Sequence, residues 1–155
     1  MRFDESFVKQ VLPDVSMLYG ALSFEPNFSI DTRLIKPNQL FVALPGVHVD
    51  GHNFIQDALK KDAAGIIISR HKRSALDAID TQLLEKKIVL TVEDTHDALL
   101  KLAAAWRRKF SYPVVGITGS VGKTSTKETL RMILQESGKN HLVSQEKILI
   151  ALSAS

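Results

Sequence analysis

The chain has 155 residues, 45% of them hydrophobic and 24% charged, a balance that excludes a disordered or collagen-like polypeptide. It carries no cysteine, which excludes a disulfide framework, a cysteine-ligated zinc site and thiol catalysis within these residues. The formal net charge is only +3, and basic clusters such as Lys60-Lys61 and Arg107-Arg108-Lys109 are scattered, which excludes a nucleic-acid stripe.

In chain order, Met1-Arg2-Phe3-Asp4-Glu5-Ser6 has no apolar signal core. No apolar run approaches the roughly 18 residues of a membrane helix, so a cytoplasmic protein without membrane insertion is expected. Residues 5–12 read as a short amphipathic helix ended by Pro13. Residues 28–33 alternate with period two and suit a half-buried strand. Lys36-Pro37-Asn38-Gln39 is a turn, and Leu40-Phe41-Val42-Ala43-Leu44 is a continuous apolar run that reads as a buried strand stopped by Pro45-Gly46. Asn53 with Gln56 fits a capping box for a helix with Phe54, Ile55, Ala58 and Leu59 on one face. Gly65 is read as its end, followed by a buried strand at Ile66-Ile67-Ile68. A helix or turn is expected over 74–85, and a strand over Ile88–Val92. Asp94 and Thr95 can each cap the next helix, whose apolar face is Ala98, Leu99, Leu102, Ala103 and Trp106. Trp106 at that spacing is core. His48, Asp50 and His52 alternate as metal ligands on a strand would, but Gly51 and the turn context argue against a metal there. His71, His96 and His141 are isolated.

Past the break at Ser111-Tyr112-Pro113 comes a buried strand, Val114 to Ile117, then a glycine-rich turn. A helix follows with Leu130, Ile133 and Leu134 inside and Gly138 beyond its end, and His141-Leu142-Val143 would be the next strand. The turn is Thr118-Gly119-Ser120-Val121-Gly122, and Lys123-Thr124 opens the helix. Glycines let the backbone curl so that its N–H groups converge, and the helix N-terminus adds partial positive charge. Lys123 would set its ammonium on the β and γ phosphates of a nucleotide, and the Thr124 hydroxyl would bind Mg²⁺. Ile117 stands where the common phosphate-loop pattern has glycine. Alternating strands and helices give an α/β fold.

These residues carry a family resemblance. Thr118-Gly119-Ser120-Val121-Gly122-Lys123-Thr124-Ser125, continuing to Thr126-Lys127-Glu128, resembles the ATP loop of the Mur ligases, which also lacks glycine at the position of Ile117. A second stretch is similar to the UDP-sugar-binding domain of the same ligases. It runs Asp31-Thr32-Arg33, Lys36-Pro37, Leu40 to Leu44, Gly46, then Asp50-Gly51-His52-Asn53-Phe54. Thr32 replaces the usual serine and keeps a hydroxyl. Asn38 replaces a turn glycine, and asparagine tolerates the left-handed conformation.

The resemblance implies ATP and Mg²⁺ at Gly119, Ser120, Val121, Gly122, Lys123, Thr124 and Ser125, with Lys123 and Thr124 as catalytic residues. It implies a UDP-muramoyl-peptide at Asp31, Thr32, Arg33, Gly46, Asp50, Gly51 and His52. Arg33 could face the diphosphate; Asp31 either joins it there or simply pairs with Arg33. Asp50-Gly51 is a turn first and a ligand contact second. Ser120 and Lys127-Glu128 resemble the member that joins D-alanyl-D-alanine to UDP-N-acetylmuramoyl-tripeptide in peptidoglycan precursor synthesis. That reaction proceeds through an acyl phosphate. The alternatives are the preceding, diamino-acid-adding ligase, or a non-catalytic UDP-sugar-binding fragment.

The expected organisation is a small α/β substrate domain over 1–110. After it comes the first strand, phosphate loop and helix of a parallel-sheet ATP-binding domain over 111–155, as a monomer. Residues 146–155, Glu146-Lys147-Ile148-Leu149-Ile150-Ala151-Leu152-Ser153-Ala154-Ser155, form an apolar run where the family has Asn-rich sequence. They read as an out-of-frame end after one lost nucleotide near Lys147, as a split gene, or as a deliberate boundary. No ligase turnover is expected from the chain alone.

Overall fold

Short apolar segments spaced by helix-forming stretches pair into one main sheet in the first part of the chain. The computed structural model describes residues 2–21, 23–25, 27–47, 49–111, 113–138, 141–143 and 149–152. Its backbone divides into two units, Met1–Arg107 and Arg108–Ser155. The first unit runs β1 (Phe3–Asp4), α1 (Glu5–Val11), β2 (Ser16–Tyr19), β3 (Ser23–Phe24), β4 (Phe28–Ser29) and β5 (Leu40–Val42). It continues with α2 (Ile55–Lys60), β6 (Gly65–Ser69), α3 (Thr81–Glu85), β7 (Ile88–Val92) and α4 (Thr95–Arg107). Two 3₁₀ segments, Gly51–Phe54 and Arg70–Leu76, precede α2 and follow β6.

The main sheet has the order β2-β7-β6-β5-β4. Strands β4 to β7 are parallel, and β2 joins β7 antiparallel as an edge. β1 and β3 form a separate antiparallel pair. Because successive strand residues point to opposite faces, the continuous apolar runs feed two cores. Leu40, Val42, Ile67, Leu90 and Val92 meet Val8 and Leu12 of the α1 region and Ala98 and Leu102 of α4. Phe41, Ile66, Ile68 and Val89 meet Ile55, Ala58 and Leu59 of α2, with Leu76 and Leu84. Trp106 packs on the first core with its ring centroid 5.4 Å from that of Phe3.

Several local expectations change. The strand expected over 28–33 is only Phe28–Ser29. The Ser29 hydroxyl donates to the Asp31 carbonyl at 3.0 Å, and Asp31 Oδ1 accepts from the Arg33 N–H at 2.9 Å. These side-chain bonds turn the backbone before the alternation runs out. The Asn53–Gln56 box does not start α2. Asp50 caps the preceding 3₁₀ segment instead, accepting from the His52 N–H at 2.9 Å. Gly65 is the first residue of β6, not a helix terminator; α2 stops at Lys60, and Asp62 takes the left-handed turn with φ 60°. Asp94, not Thr95, caps α4, accepting from the N–H groups of His96 at 2.7 Å and Asp97 at 2.9 Å. The buried Thr95 hydroxyl reaches across to the Ala43 carbonyl at 2.8 Å.

The second unit contains β8 (Val114–Gly116), α5 (Lys123–Glu136), β9 (His141–Val143) and β10 (Leu149–Leu152). β10 lies between β8 and β9 and is antiparallel to both, so β8 and β9 run parallel to each other across it. β8 is not the buried strand its composition suggests: Val114 is 42% and Val115 36% exposed. A three-stranded ladder and one helix leave its residues uncovered. On α5, Leu130 is half-buried and Leu134, one turn on, is buried. Ile133 is 56% exposed, because it is rotated about 100° from Leu134 and leaves the inward face. Gly138 follows the helix with φ 68°. His48, Tyr112 and, in the tail, Glu146, Lys147, Ile148, Ser153, Ala154 and Ser155 lie outside the described residues.

Candidate functional site

The first unit carries a groove of about 480 Å³ lined by Ile30, Asp31, Thr32, Arg33, Phe41, Leu44, Val49, Gly51 and Phe54. It sits where the chain leaves the C-terminal end of β5, the end at which open α/β sheets bind ligands. Of the residues expected to contact a substrate, Asp31, Thr32, Arg33 and Gly51 line it. Gly46, Asp50 and His52 do not. Gly46 belongs to the turn, where an added Cβ would lie 2.5 Å from the Val49 carbonyl oxygen.

Asp31 and Arg33 meet in a bidentate pair, with Oδ1 accepting from Nε at 2.9 Å and Oδ2 from Nη2 at 2.6 Å. The Arg33 side-chain bond, helped by its backbone N–H, holds the Asp31 carboxyl at about 2 and raises the Arg33 guanidinium in turn. The guanidinium stays 87% exposed, so its outer face can take a ligand anion as well. Lys61, which the sequence did not single out, adds a second cation: its ammonium donates to the Thr32 carbonyl at 2.7 Å. Of the apolar walls, Phe41, Leu44 and Phe54 lie inside the motif but were read as strand or helix residues, and Ile30 and Val49 lie outside it. Their type matches core residues, and only the fold shows that they border open space.

Asp50 and His52 build the support behind Gly51. His52 is 5% exposed. Its Nδ1 lies 2.6 Å from Asp50 Oδ1, and its Nε2 accepts from the Ser69 N–H at 2.9 Å. Lys72 reaches Asp50 Oδ2 at 3.1 Å. The His52 backbone N–H, joined by its ring and by Lys72, holds the Asp50 carboxyl at about 2 against the opposing effect of burial. Among the described residues no group of three or more His, Cys, Asp or Glu side chains is arranged to hold a metal. His71 instead pairs with Glu93 at 2.6 Å.

In the second unit, Thr118-Gly119-Ser120-Val121-Gly122 joins β8 to the N-terminus of α5. Gly122 has φ 79°, a conformation open to glycine at little cost, and nothing lies within 4 Å of where its Cβ would be. It is the N-cap of α5 and supplies no side chain, so the first-turn N–H groups have no side-chain cap. The Lys123 ammonium folds over the loop, donating to the Gly119 carbonyl and, at 3.4 Å, to that of Ser120. Thr124 and Ser125 follow, both exposed, in the first turn. A bare helix N-terminus, an open glycine cradle and an ammonium folded over it make a donor set that fits a phosphate chain.

The profile described as "Mur ligase family, catalytic domain" matches residues 27–107, just over half of the chain. The chain belongs to the Mur ligase family. It is 39% identical over 115 residues to the UDP-N-acetylmuramoyl-tripeptide–D-alanyl-D-alanine ligase of Synechocystis, covering 74% of this chain and 24% of that protein. It is 35% identical over 133 residues to the UDP-N-acetylmuramoyl-L-alanyl-D-glutamate–2,6-diaminopimelate ligase of Aquifex aeolicus, covering 82% and 25%. Among solved structures, MurF ligase from Thermotoga maritima in complex with ADP superimposes with a TM-score of 0.56 at 35% identity, covering 71% of this chain and 23% of that one. MurF from Acinetobacter baumannii gives a TM-score of 0.64 at 26% identity over 88% of this chain and 28% of that one. This Mur ligase chain therefore spans about a quarter of the length of the relatives it matches.

Proposed function

We propose that this chain supplies the uridine-nucleotide groove and the ATP loop of a cytoplasmic, monomeric ligase that joins D-alanyl-D-alanine to UDP-N-acetylmuramoyl-tripeptide. The observation that carries the reading is the loop at residues 118–124, with its uncapped helix N-terminus and the Lys123 ammonium over it. Bound ATP, with Mg²⁺, supplies the phosphoryl group that activates the tripeptide carboxylate. The chain's part is positioning and charge. Backbone N–H groups of the loop and of the first turn of α5 would hold phosphate oxygens. Lys123 would leave its carbonyl partners and neutralise charge on the β and γ phosphates. The Thr124 hydroxyl would ligate Mg²⁺, while Gly119, Ser120, Val121, Gly122 and Ser125 complete the cradle.

In the other unit, Arg33 and Lys61 would face the diphosphate, and Asp31 orients Arg33. Thr32 and the walls Phe41, Leu44 and Phe54 would hold the uracil. Residues 1–110 are the substrate domain in this reading, and 111–155 begin the ATP domain. Among the described residues no helix is long and apolar enough to cross a membrane.

Separate titrations with UDP-N-acetylmuramoyl-tripeptide and with Mg·ATP test the proposal. Lys123→Ala should weaken ATP binding by about 10–100-fold, the worth of a charge-assisted bond to phosphate, with the UDP-peptide affinity unchanged. Undiminished ATP binding would refute the loop assignment. Binding of the UDP-peptide without ATP would favour a non-catalytic UDP-sugar-binding role. The diaminopimelate-adding ligase of Aquifex aeolicus, at 35% identity, supports a second reading with the same chemistry and a shorter acceptor. Preference for the UDP-muramoyl-dipeptide over the tripeptide would select it.

A further inference from the structure

We propose that His52 is a positioning residue: its neutral ring, protonated at Nδ1, latches the turn that carries Gly51 into the groove onto the C-terminal end of β6. The argument begins with the Ser69 N–H. That group can only donate, and it points at His52 Nε2 from 2.9 Å. Nε2 must therefore carry a lone pair, which leaves the single ring proton of a neutral imidazole on Nδ1. Nδ1 sits 2.6 Å from Asp50 Oδ1, an acceptor. Asp50 is kept ionised there by the His52 backbone N–H and by Lys72, the charged side chain that reaches it from the Arg70–Leu76 segment. The ring is buried, at 3% side-chain exposure, which shelters its two nitrogens from water.

The geometry around the turn gives this bond its consequence. Gly51 is pressed onto the end of β5: its N–H donates to the Leu44 carbonyl at 2.9 Å, and an added Cβ would lie 2.7 Å from that oxygen. Val49 and Gly51 border the groove on the same turn. On the β5 side the turn is held by this backbone bond. On the β6 side the His52 ring takes the Ser69 N–H, seventeen residues away, and Lys72 of the following segment reaches Asp50 at 3.1 Å; His52 alone bonds the strand itself. Losing it leaves the half-buried Ser69 N–H without its side-chain acceptor and frees the groove wall to move. His52 thus acts on the ligand through Gly51 and Val49 without touching it, which goes beyond the contact role expected from its motif. The effect on affinity rests on the groove being the uridine-nucleotide site; the latch itself does not.

Three measurements on the full chain test this. In a multiple-bond ¹H–¹⁵N spectrum of the ¹⁵N-labelled protein, His52 Nδ1 should show the shift of a protonated ring nitrogen and Nε2 that of an unprotonated one. A protonated Nε2 overturns the proposal. In titrations with uridine diphosphate, His52→Ala should bind about tenfold more weakly than the parent, as expected for one lost hydrogen bond of about 1.4 kcal/mol. His52→Gln, whose amide oxygen can accept from the Ser69 N–H, should recover affinity to within about threefold of the parent. His52→Ala binding as well as the parent overturns the proposal. Should the alanine variant not fold, His52→Asn replaces it, its amide N–H standing near the Nδ1 position for Asp50 while its oxygen is too short to reach the Ser69 N–H. A parent chain that does not bind uridine diphosphate refutes the nucleotide reading only. The latch is then judged by amide exchange at Ser69, which should quicken at least about tenfold in the alanine or asparagine variant. Unchanged exchange overturns it.

Discussion

Asp50→Asn should destabilise the first unit by about 1–2 kcal/mol near pH 5 and by about half as much near pH 3. The Asp50 carboxylate accepts from the His52 N–H at 2.9 Å, faces the His52 ring at 2.6 Å and meets Lys72 at 3.1 Å. Together these hold its carboxyl at about 2, against an ordinary 3.8. At about 1.4 kcal/mol for each tenfold change in proton affinity, the gap corresponds to roughly 2 kcal/mol. The carboxylate is 25% exposed, so water screens part of that and the lower figure of about 1–2 kcal/mol follows. Asparagine keeps an oxygen for the two N–H donors but loses the charge and turns an amide toward Lys72.

The sign follows from proton uptake. Between about 2 and 3.8 the unfolded chain holds this proton and the folded one does not, so stability rises with pH across that window and levels off above it. Below the folded value both states are protonated and the contribution is gone. The assay is urea unfolding of parent and variant at a series of pH values from about 5 down to about 3, with the slope checked for constancy. A difference between the two proteins that stays the same across the series would refute the reasoning.

Thr95→Val should cost about 1–2 kcal/mol in the same unfolding assay, because it removes the donor that reaches the Ala43 carbonyl at 2.8 Å in a buried setting. An unchanged midpoint would mean that the Ala43 carbonyl finds another partner. Arg33→Ala should leave the unfolding midpoint unchanged, since the pair with Asp31 is on the surface, yet weaken uridine diphosphate by about tenfold and uridine hardly at all. Equal losses for nucleotide and nucleoside would place Arg33 away from the phosphates.

The residues that the sequence reading placed well share a property: their behaviour is set by near neighbours. Ile88–Val92 is a strand because five consecutive apolar or β-branched residues fill both faces of a parallel sheet, and β7 has those bounds. Asp94, one of the two caps offered by the sequence, caps α4 through donors two and three residues on. The loop at 118–124 is legible because glycine, lysine and threonine at fixed spacing before a helix state both a backbone shape and a charge. Family membership was legible for the same reason, since two ordered motifs survive in the linear text.

What escaped the sequence depends on partners far along the chain. His52 looked like a ligand contact by motif, but its ring is committed to Ser69, seventeen residues away. Lys61 reaches Thr32 across 29 residues, and Thr95 reaches Ala43 across 52. Phe41, Leu44 and Phe54 are apolar wherever they stand. Whether such a residue fills a core or walls a groove is decided by what the sheet brings opposite it. The same holds for β8, whose valines suggest burial and whose exposure reflects how little of the second unit lies over them. The sequence by itself determined the central strands β5 to β7, the helix over 95–107 and the strand–glycine turn–helix order at 114–136, because steric and hydrogen-bonding preferences act over a few residues. Only the tertiary structure decided which side chains border the groove and which hold the bordering ones in place, because those assignments are made by contacts between segments that the chain keeps apart.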